Sequence, residues 1–595
     1  MTKPVLFVLG ASALPLAHRL RAGLDGEVHV PSCVGGGDVT YDKATTHLAL
    51  LFKSGRSIIG LCAAGILIRS LAPYLKDKQS EPAVVALAED GTAVVPLLGG
   101  HHGANTLARR IAQLTGGQAA LTTASEVRFG MALDEPADGF VLGNPEHMKA
   151  ATAAMLNGAS VALAGEQSPF PQAHLPTSQA SFEGVTLQVT ENRATGSESV
   201  LVYHPRNLVM GLGCERGASP EEMIELATSV LQKHNLSPRS LAAVASIDLK
   251  ADEPAIHAVA AHFSVPARFF AKTELANETS RLATPSETVA REVGVPGVAE
   301  AAALALAGPQ STLLVPKALS RRATCAIARS PQPILTLAGQ PRGILHVVGI
   351  GPGSAAWRSP AASAALIESQ DWVGYSLYLD LVSDLRSSQQ EHRFPLGAEE
   401  DRVKHAISLA QDGREVALVC SGDAGIYAMA ALVFELLELS PATISVNVIP
   451  GISAFQAAAA RAGAIIGHDF CCISLSDLLT PWETIESRIQ AAAIGDFVTA
   501  FYNPRSHKRR DQIERAFTLL KPHRPPSTPV IIATSLGRPD ERVRVLRFDA
   551  FDANDVDMLT LVMVGSSQTR AISRGDGQTY AYTPRGYARK RDNEP

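Results

Sequence analysis

Cysteine is scarce in this chain, with seven residues in 595, and none of the seven falls into a C-x-x-C pair. A disulfide framework or a zinc knuckle would need such spacing, so neither is indicated and reduced thiols are the plain reading. Long apolar runs are missing as well. Hydrophobic residues make up 46% of the chain, yet no stretch reaches the roughly 18 to 20 residues of a membrane-spanning helix. The start, MTKPVLFVLG, lacks the charged, apolar and small-residue regions of a secretory signal. A cytoplasmic protein with no membrane partner is expected. An excess of basic residues is also absent: the net charge is −5 and the pI about 6.4. Counterion release on nucleic acid needs a large basic surface, so no nucleic-acid partner is expected and any anionic ligand must be met locally.

What is present points to several α/β modules in series. At roughly 150 residues per domain the length suggests about four. Residues 1–125 alternate β-branched runs (VLFVLG, SIIGLC, AVVALA, AVVPLL) with helical segments, the pattern of a small α/β layer. Residues 126–206 are richer in polar residues, Gly and Pro, and read as a smaller middle domain. Residues 207–335 open with NLVMGLGCERGASPEEMIEL. There Ser219 is a natural N-cap, Pro220 fits the first helical position and Glu222 completes a capping box, so a helix should start at that point. Residues 336–342 read as a linker. Residues 343–585 carry strand-like runs ILHVVGI, EVALVC, SVNVIP, DFVTAFY, PVIIATS and LTLVMVG with helices between most of them, an α/β architecture in two lobes.

Three turns in this last part draw attention. In VVGIGPG, Gly349, Gly351 and Gly353 follow a strand, but a proline interrupts the glycines and Ser354 stands where a dinucleotide fold would have its third glycine. That weakens a nicotinamide reading. In ALVCSGDAGIYAMA a buried-type strand ends in Ser421, Gly422 and Asp423, with a helix expected from about Ala424. In VIPGISAFQAAAARAG, Pro450 and Gly451 make the turn and Ser453 can cap the helix that follows.

These motifs in this order, followed by ISLSDLLTPWETIESRI, FYNPRSHKRRDQI, IIATSLGRPDE and LTLVMVGSSQT, resemble the tetrapyrrole methyltransferase family along essentially all of residues 343–585. Within it they are most similar to the group that methylates precorrin-3B at carbon 17 with contraction of the ring. The resemblance implies a two-lobed fold with S-adenosyl-L-methionine in the cleft, and a precorrin, a polycarboxylate tetrapyrrole of cobalamin biosynthesis, as substrate. It places the donor at Pro352, at Ser421, Gly422, Asp423 and Ile426, at Ser453 and Ala454, and near Tyr502. Gly349, Gly351 and Gly353 would face the tetrapyrrole. A homodimer through this domain is implied too, and no metal site. The sequence does not settle whether the substrate carries cobalt.

The run Tyr502 to Arg510 bears on the substrate independently. Pro504 and Ser506 suggest a helix start, and cations in a first helical turn oppose the macrodipole unless an anion compensates them. Arg505 is the candidate for a substrate carboxylate, the alternative being a solvated face partnered by Asp511 and Glu514. Ring contraction requires loss of a hydroxyl proton. Asp423, His405 and His507 are candidates for that base, and the sequence does not choose among them.

Residues 1 to about 330 resemble the cobalt-precorrin-5A hydrolase family through LCAAGILIRSLAPYLKDKQSEPAVVAL, VVPLLGGHHGANTLARRIA, GLGCERGASPEEM, SIDLKADEPA and VPKALSRRATCAIA. The resemblance implies opening of a lactone with release of acetaldehyde. His101, in a glycine-rich turn before a helix, is the candidate base there, alongside a plain loop histidine. Cys214, Arg216 and Lys317 either line a carboxylate pocket or stabilise turns. Two other readings stand beside this one: a non-catalytic precorrin carrier for the N-terminal part, and a nicotinamide oxidoreductase built on VVGIGPG.

Overall fold

The computed structural model describes residues 3–76, 81–171, 173, 184–386, 388–506, 510–575 and 577–587, without the side chains of His101 and Glu126. The chain forms two compact units. One comprises Met1–Arg342 with Gln411–Gly413 and Thr443–Ser445; the other comprises Gly343–Ala410, Arg414–Ala442 and Val446–Pro595. Among the described residues no helix is long and apolar enough to cross a membrane.

The first unit holds three sheets. The first runs, in spatial order, Val39–Tyr41, Glu27–Pro31, Val5–Val8, Ile58–Leu61, Val84–Leu87, Ala93–Leu98, Gln118–Ala119. Its central strands, VLFV, IIGL and VVAL, are uninterrupted apolar runs because helices cover both faces and every residue is buried. A four-stranded sheet follows (Phe140–Leu142, Val200–Pro205, Gly184–Val189, Ser160–Ala164), and then a five-stranded one (Ala267–Phe270, Leu241–Ile247, Leu208–Cys214, Ala323–Arg329, Thr312–Leu319). Helix Pro220–Lys233 starts where its sequence says it should, Ser219 Oγ accepting the Glu222 N–H at 3.4 Å. The expected capping box is only half formed. The Glu222 carboxylate turns away to accept Ser320 Oγ at 2.6 Å and the Arg322 N–H at 2.8 Å, joining two distant loops instead of closing its own helix end.

A histidine pair, His29 buried and His47 half-buried, lies against the first sheet. His29 Nδ1 and His47 Nε2 are 2.8 Å apart, and the His47 ring stacks on Tyr41 with centroids 4.8 Å apart. Burial, with the His29 and Arg56 charges adding to it, pushes the His47 imidazolium down to about 4. An unfolded His titrates near 6.5. Between those values the unfolded chain holds a proton that the folded chain refuses, so stability is full above about pH 6.5 and falls as pH drops towards 4. Hydrogen-exchange protection of helix Ala44–Lys53, corrected for intrinsic rates, should therefore weaken between pH 7 and 5. His47→Phe, which keeps the ring on Tyr41, should flatten that dependence, and an unchanged slope in the variant would assign it to another group.

The second unit has two lobes. The first lobe is a five-stranded sheet in the order Gln390–Phe394, Asp371–Tyr375, Glu415–Cys420, Ile344–Gly349, Ser445–Ile449. The second lobe's sheet runs Phe470–Ser474, Val498–Tyr502, Thr560–Val564, Pro529–Thr534, Arg542–Arg547, with a small sheet of Gly463–Ala464, Thr579–Tyr582 and Arg570–Ser573 beside it. Two boundaries differ from expectation. After Asp423 the chain stays irregular, Tyr427 taking φ 52°, and the helix begins only at Met429. The helix after the basic run begins at Gln512, with Asp511 at its N-cap and Glu514 in its first turn. The dipole thus meets acidic residues, and Arg505 and Arg510 precede the helix rather than opposing it.

Candidate active site

The three turns singled out in the sequence meet at the carboxyl ends of adjacent parallel strands, where an α/β sheet leaves backbone groups free to face a ligand. Gly351 N–H donates to the Gly422 carbonyl at 3.1 Å and Gly422 N–H donates back to Gly351 at 2.8 Å. The turns pack so closely that a Cβ at Gly451 would lie 2.1 Å from the Gly422 oxygen, and one at Gly349 would lie 2.7 Å from the Gly451 nitrogen. Asp423 ties the junction together: its Oδ1 accepts the Gly425 N–H at 2.8 Å and its Oδ2 the Gly451 N–H at 3.1 Å.

Beside this junction, and walled on the other side by the second lobe, lies a cavity of about 200 Å³. Pro352, Ser421, Gly422, Asp423, Ile426, Ser453, Ala454 and Tyr502 all line it. The second lobe adds Asn503, Ser535, Leu536, Arg538 and the segment Met558 to Leu561, nearly all within motifs that carried the resemblance but had been given no role, while Tyr378 comes from helix Ser376–Asp380 of the first lobe. Among the described lining residues Asp423 carries the one negative side chain and Arg538 the one positive.

Gly349, Gly351 and Gly353 do not line this cavity. Gly349 and Gly351 sit behind its wall in the backbone junction, and Gly353 packs under Leu536 and Gly537. Arg505 likewise points elsewhere, donating through Nη1 to the Ala553 carbonyl at 2.6 Å. Of the three base candidates, Asp423 is in the cavity. His405 is bonded to His392 at 2.9 Å outside it, and His507 lies outside the described residues. The side chain of His101, the candidate in the first unit, is outside them too; its backbone belongs to the turn Gly100–His102 that precedes helix Ala104–Thr115. Cys214, Arg216 and Lys317 are engaged in packing and turns. Burial pushes the Cys214 thiol up to about 11, Arg216 pairs with Asp252, and Lys317 Nζ donates to the Thr284 carbonyl at 3.2 Å.

Three phenols stand on or beside the cavity. Burial raises the phenols of Tyr378, Tyr427 and Tyr502 above the ordinary tyrosine range, so near neutral pH they are hydrogen-bond donors. Tyr502 is held in place by the Phe455 N–H, which donates to its hydroxyl at 3.2 Å. Ser453 is fixed at its helix start by its N–H, which donates to Gln456 Oε1 at 3.0 Å, and its buried side chain sits against the Tyr502 phenol, whose titration it draws down.

Comparison with known proteins gives three family matches: the tetrapyrrole (corrin/porphyrin) methylases over residues 344–552, the cobalamin synthesis G C-terminus over 208–328 and the cobalamin synthesis G N-terminal region over 46–126. The chain is 44% identical over 249 residues to the precorrin-3B C(17)-methyltransferase of a Sinorhizobium species, covering 98% of that protein and 41% of this chain. It is 46% identical over 244 residues to a Salmonella typhimurium protein named "Probable cobalt-factor III C(17)-methyltransferase", covering 99% of it and again 41% of this chain. A crystal structure of the methyltransferase CobJ is 40% identical, with 41% of this chain and all of that one covered and a TM-score of 0.39.

Proposed function

This chain belongs to the tetrapyrrole methylase family, and on that premise we propose that its second unit transfers the methyl group of S-adenosyl-L-methionine to carbon 17 of precorrin-3B, with ring contraction, in cobalamin biosynthesis. The observation that carries the reading is the shared cavity: all eight residues expected to hold the donor line one space, at turns fused by direct backbone bonds. When bound, the donor supplies an electrophilic methyl on a sulfonium. The chain's own part is placement. Turns 421–423 and 451–454 offer carbonyls and one carboxylate but no anion-binding loop, which suits a cationic centre better than a phosphate. Ser453 Oγ and the Tyr502 hydroxyl orient the donor. Holding the acceptor carbon in line with the methyl supplies most of the acceleration, as in other reactions where orientation replaces a bimolecular encounter.

The first unit is proposed to act as the cobalt-precorrin-5A hydrolase, supported by the two cobalamin synthesis G matches. Joining the two activities in one chain raises the effective concentration of an unstable intermediate near the next site.

The test is direct. Incubation of the full chain with S-adenosylmethionine carrying a labelled methyl group, and with precorrin-3B or its cobalt-containing counterpart, should place the label on carbon 17. S-adenosylhomocysteine should bind in calorimetry while NAD does not. Label on another carbon would overturn the named reaction, and binding of NAD alone would overturn the methyl-transfer reading. Acetaldehyde release from cobalt-precorrin-5A tests the first unit separately.

A further inference from the structure

Among the described residues the Arg538 side chain makes no hydrogen bond and no ion pair, although it lines the cavity. Its Nε is buried and finds no hydrogen-bond acceptor, and no carboxylate among the described residues pairs with its guanidinium. The acids of its own loop bond elsewhere. Asp540 accepts Ser535 Oγ at 2.7 Å and feels the Arg538 charge without pairing with it, and Glu541 accepts the Gly537 N–H at 2.6 Å and Arg461 Nε at 2.7 Å. A buried donor left unmade is costly, and one that lines a cavity calls for an explanation, of which a ligand is one.

The packing around Arg538 holds it in place. Its stem runs past Gly353, where a Cβ would lie 2.9 Å from Arg538 Cγ, and Gly353 takes φ +156°. The preceding residue, Gly537, takes φ +71° and would bring a Cβ within 2.7 Å of the Ser354 nitrogen. Two glycine turns, one from each lobe, thus close on each other only because neither has a side chain, and the slot they leave holds the arginine stem. The charge reaches Tyr378 across the cavity: burial raises that phenol and the Arg538 guanidinium draws it back.

From this placement, and resting on the methyl-transfer reading above, we propose that Arg538 is the carboxylate anchor of the cavity. Its planar fork would take one carboxylate in two parallel hydrogen bonds, fixing orientation as well as affinity. Two carboxylates can reach such a site, the amino-acid end of the methyl donor or an acetate or propionate arm of the tetrapyrrole. Both present the same chemistry to the guanidinium.

The experiment uses the full chain with Arg538→Gln and Arg538→Lys. S-adenosylhomocysteine binding is measured by calorimetry and precorrin-3B binding by its absorbance change, neither depending on turnover. We expect a loss of about tenfold or more with Gln for one of the two ligands, only partly restored by Lys, which lacks the fork. The ligand affected identifies the source of the carboxylate. The unliganded melting temperature of Arg538→Gln should not fall, since an unpaired buried donor has been removed, whereas a merely structural arginine would lower it. Affinities unchanged for both ligands, or a loss of affinity that only tracks a lower melting temperature, would overturn the assignment. A parent chain that binds precorrin-3B but not S-adenosylhomocysteine would instead remove the methyl-transfer reading, with the precorrin titration still deciding on Arg538.

Discussion

Gly451→Ala should reduce S-adenosylhomocysteine affinity about a hundredfold or more while leaving the chain folded. The added Cβ would sit 2.1 Å from the Gly422 oxygen and 2.6 Å from the Gly349 oxygen. Both neighbours are backbone atoms, so no rotamer change relieves the clash and the turns must separate. Overpacking a close contact costs about 1 to 3 kcal/mol, and the upper end applies when nothing flexible can yield. A cost near 3 kcal/mol converts to about a hundredfold in affinity. The loss falls on the ligand because the same movement breaks the Gly451 N–H bond to Asp423 and shifts Ser421, Gly422 and Ser453 on the cavity wall. Gly575→Ala, where a Cβ meets nothing within 4 Å, is the control. Calorimetry on both variants decides the matter, and near-parental affinity for Gly451→Ala would show that the three-turn junction does not shape the donor site.

The first lobe's half of the site was legible because its residues sit at strand ends, where turn chemistry leaves a short signature. Ser421, Gly422 and Asp423 close a buried strand, and Pro450, Gly451 and Ser453 open a helix. In the second lobe Tyr502 was legible as a donor contact, whereas Arg538 and Leu559 to Leu561 lie in segments that carry the resemblance without revealing a role. They reach the cavity through the register of antiparallel strands brought together from distant segments, which no local pattern records. Glycines are ambiguous for a related reason. Gly349, Gly351 and Gly353 look like a ligand loop, yet within the chain they are closely approached by other turns and, at Gly353, by the Arg538 stem, and a sequence does not distinguish a neighbouring segment from a ligand. Arg505 shows the limit of charge reasoning: a carbonyl from a loop 48 residues away satisfies it. The six strands read from apolar runs are present. Gln390–Phe394, Arg542–Arg547 and Phe470–Ser474 went unread at sheet edges, the first two with many polar side chains, and so did the buried Asp371–Tyr375, whose five residues include an Asp and a Gly.

Asp371→Asn should lower the stability of the second unit by about 3 kcal/mol, the low end of the cost of breaking a buried ion pair. Asp371 is fully buried at the start of strand Asp371–Tyr375. It is held by Arg414, whose Nε bonds Oδ2 and whose Nη2 lies 2.9 Å from Oδ1, and by His392 Nε2 at 2.9 Å. His392 in turn bonds His405, so one carboxylate anchors a chain of groups across two strands and a helix. The two sides of the pair are not equivalent. Arg414 is 39% exposed and can regain water when its partner is neutralised, whereas Asp371 cannot if Arg414 is removed. Arg414→Met should therefore cost more than Asp371→Asn, and the double variant less than the sum of the two singles. At about 2 to 4 °C per kcal/mol for a unit of this size, the Asp371→Asn melting point should fall by about 6 to 12 °C. The three tryptophans, Trp357, Trp372 and Trp482, all lie in this unit, and Trp372 is buried beside Asp371, so tryptophan fluorescence follows the transition. The effect extends to the site, because this strand leads into helix Ser376–Asp380 and hence to Tyr378 on the cavity wall. Single variants that both melt within a degree of the parent would mean that the network is solvated and contributes no stability.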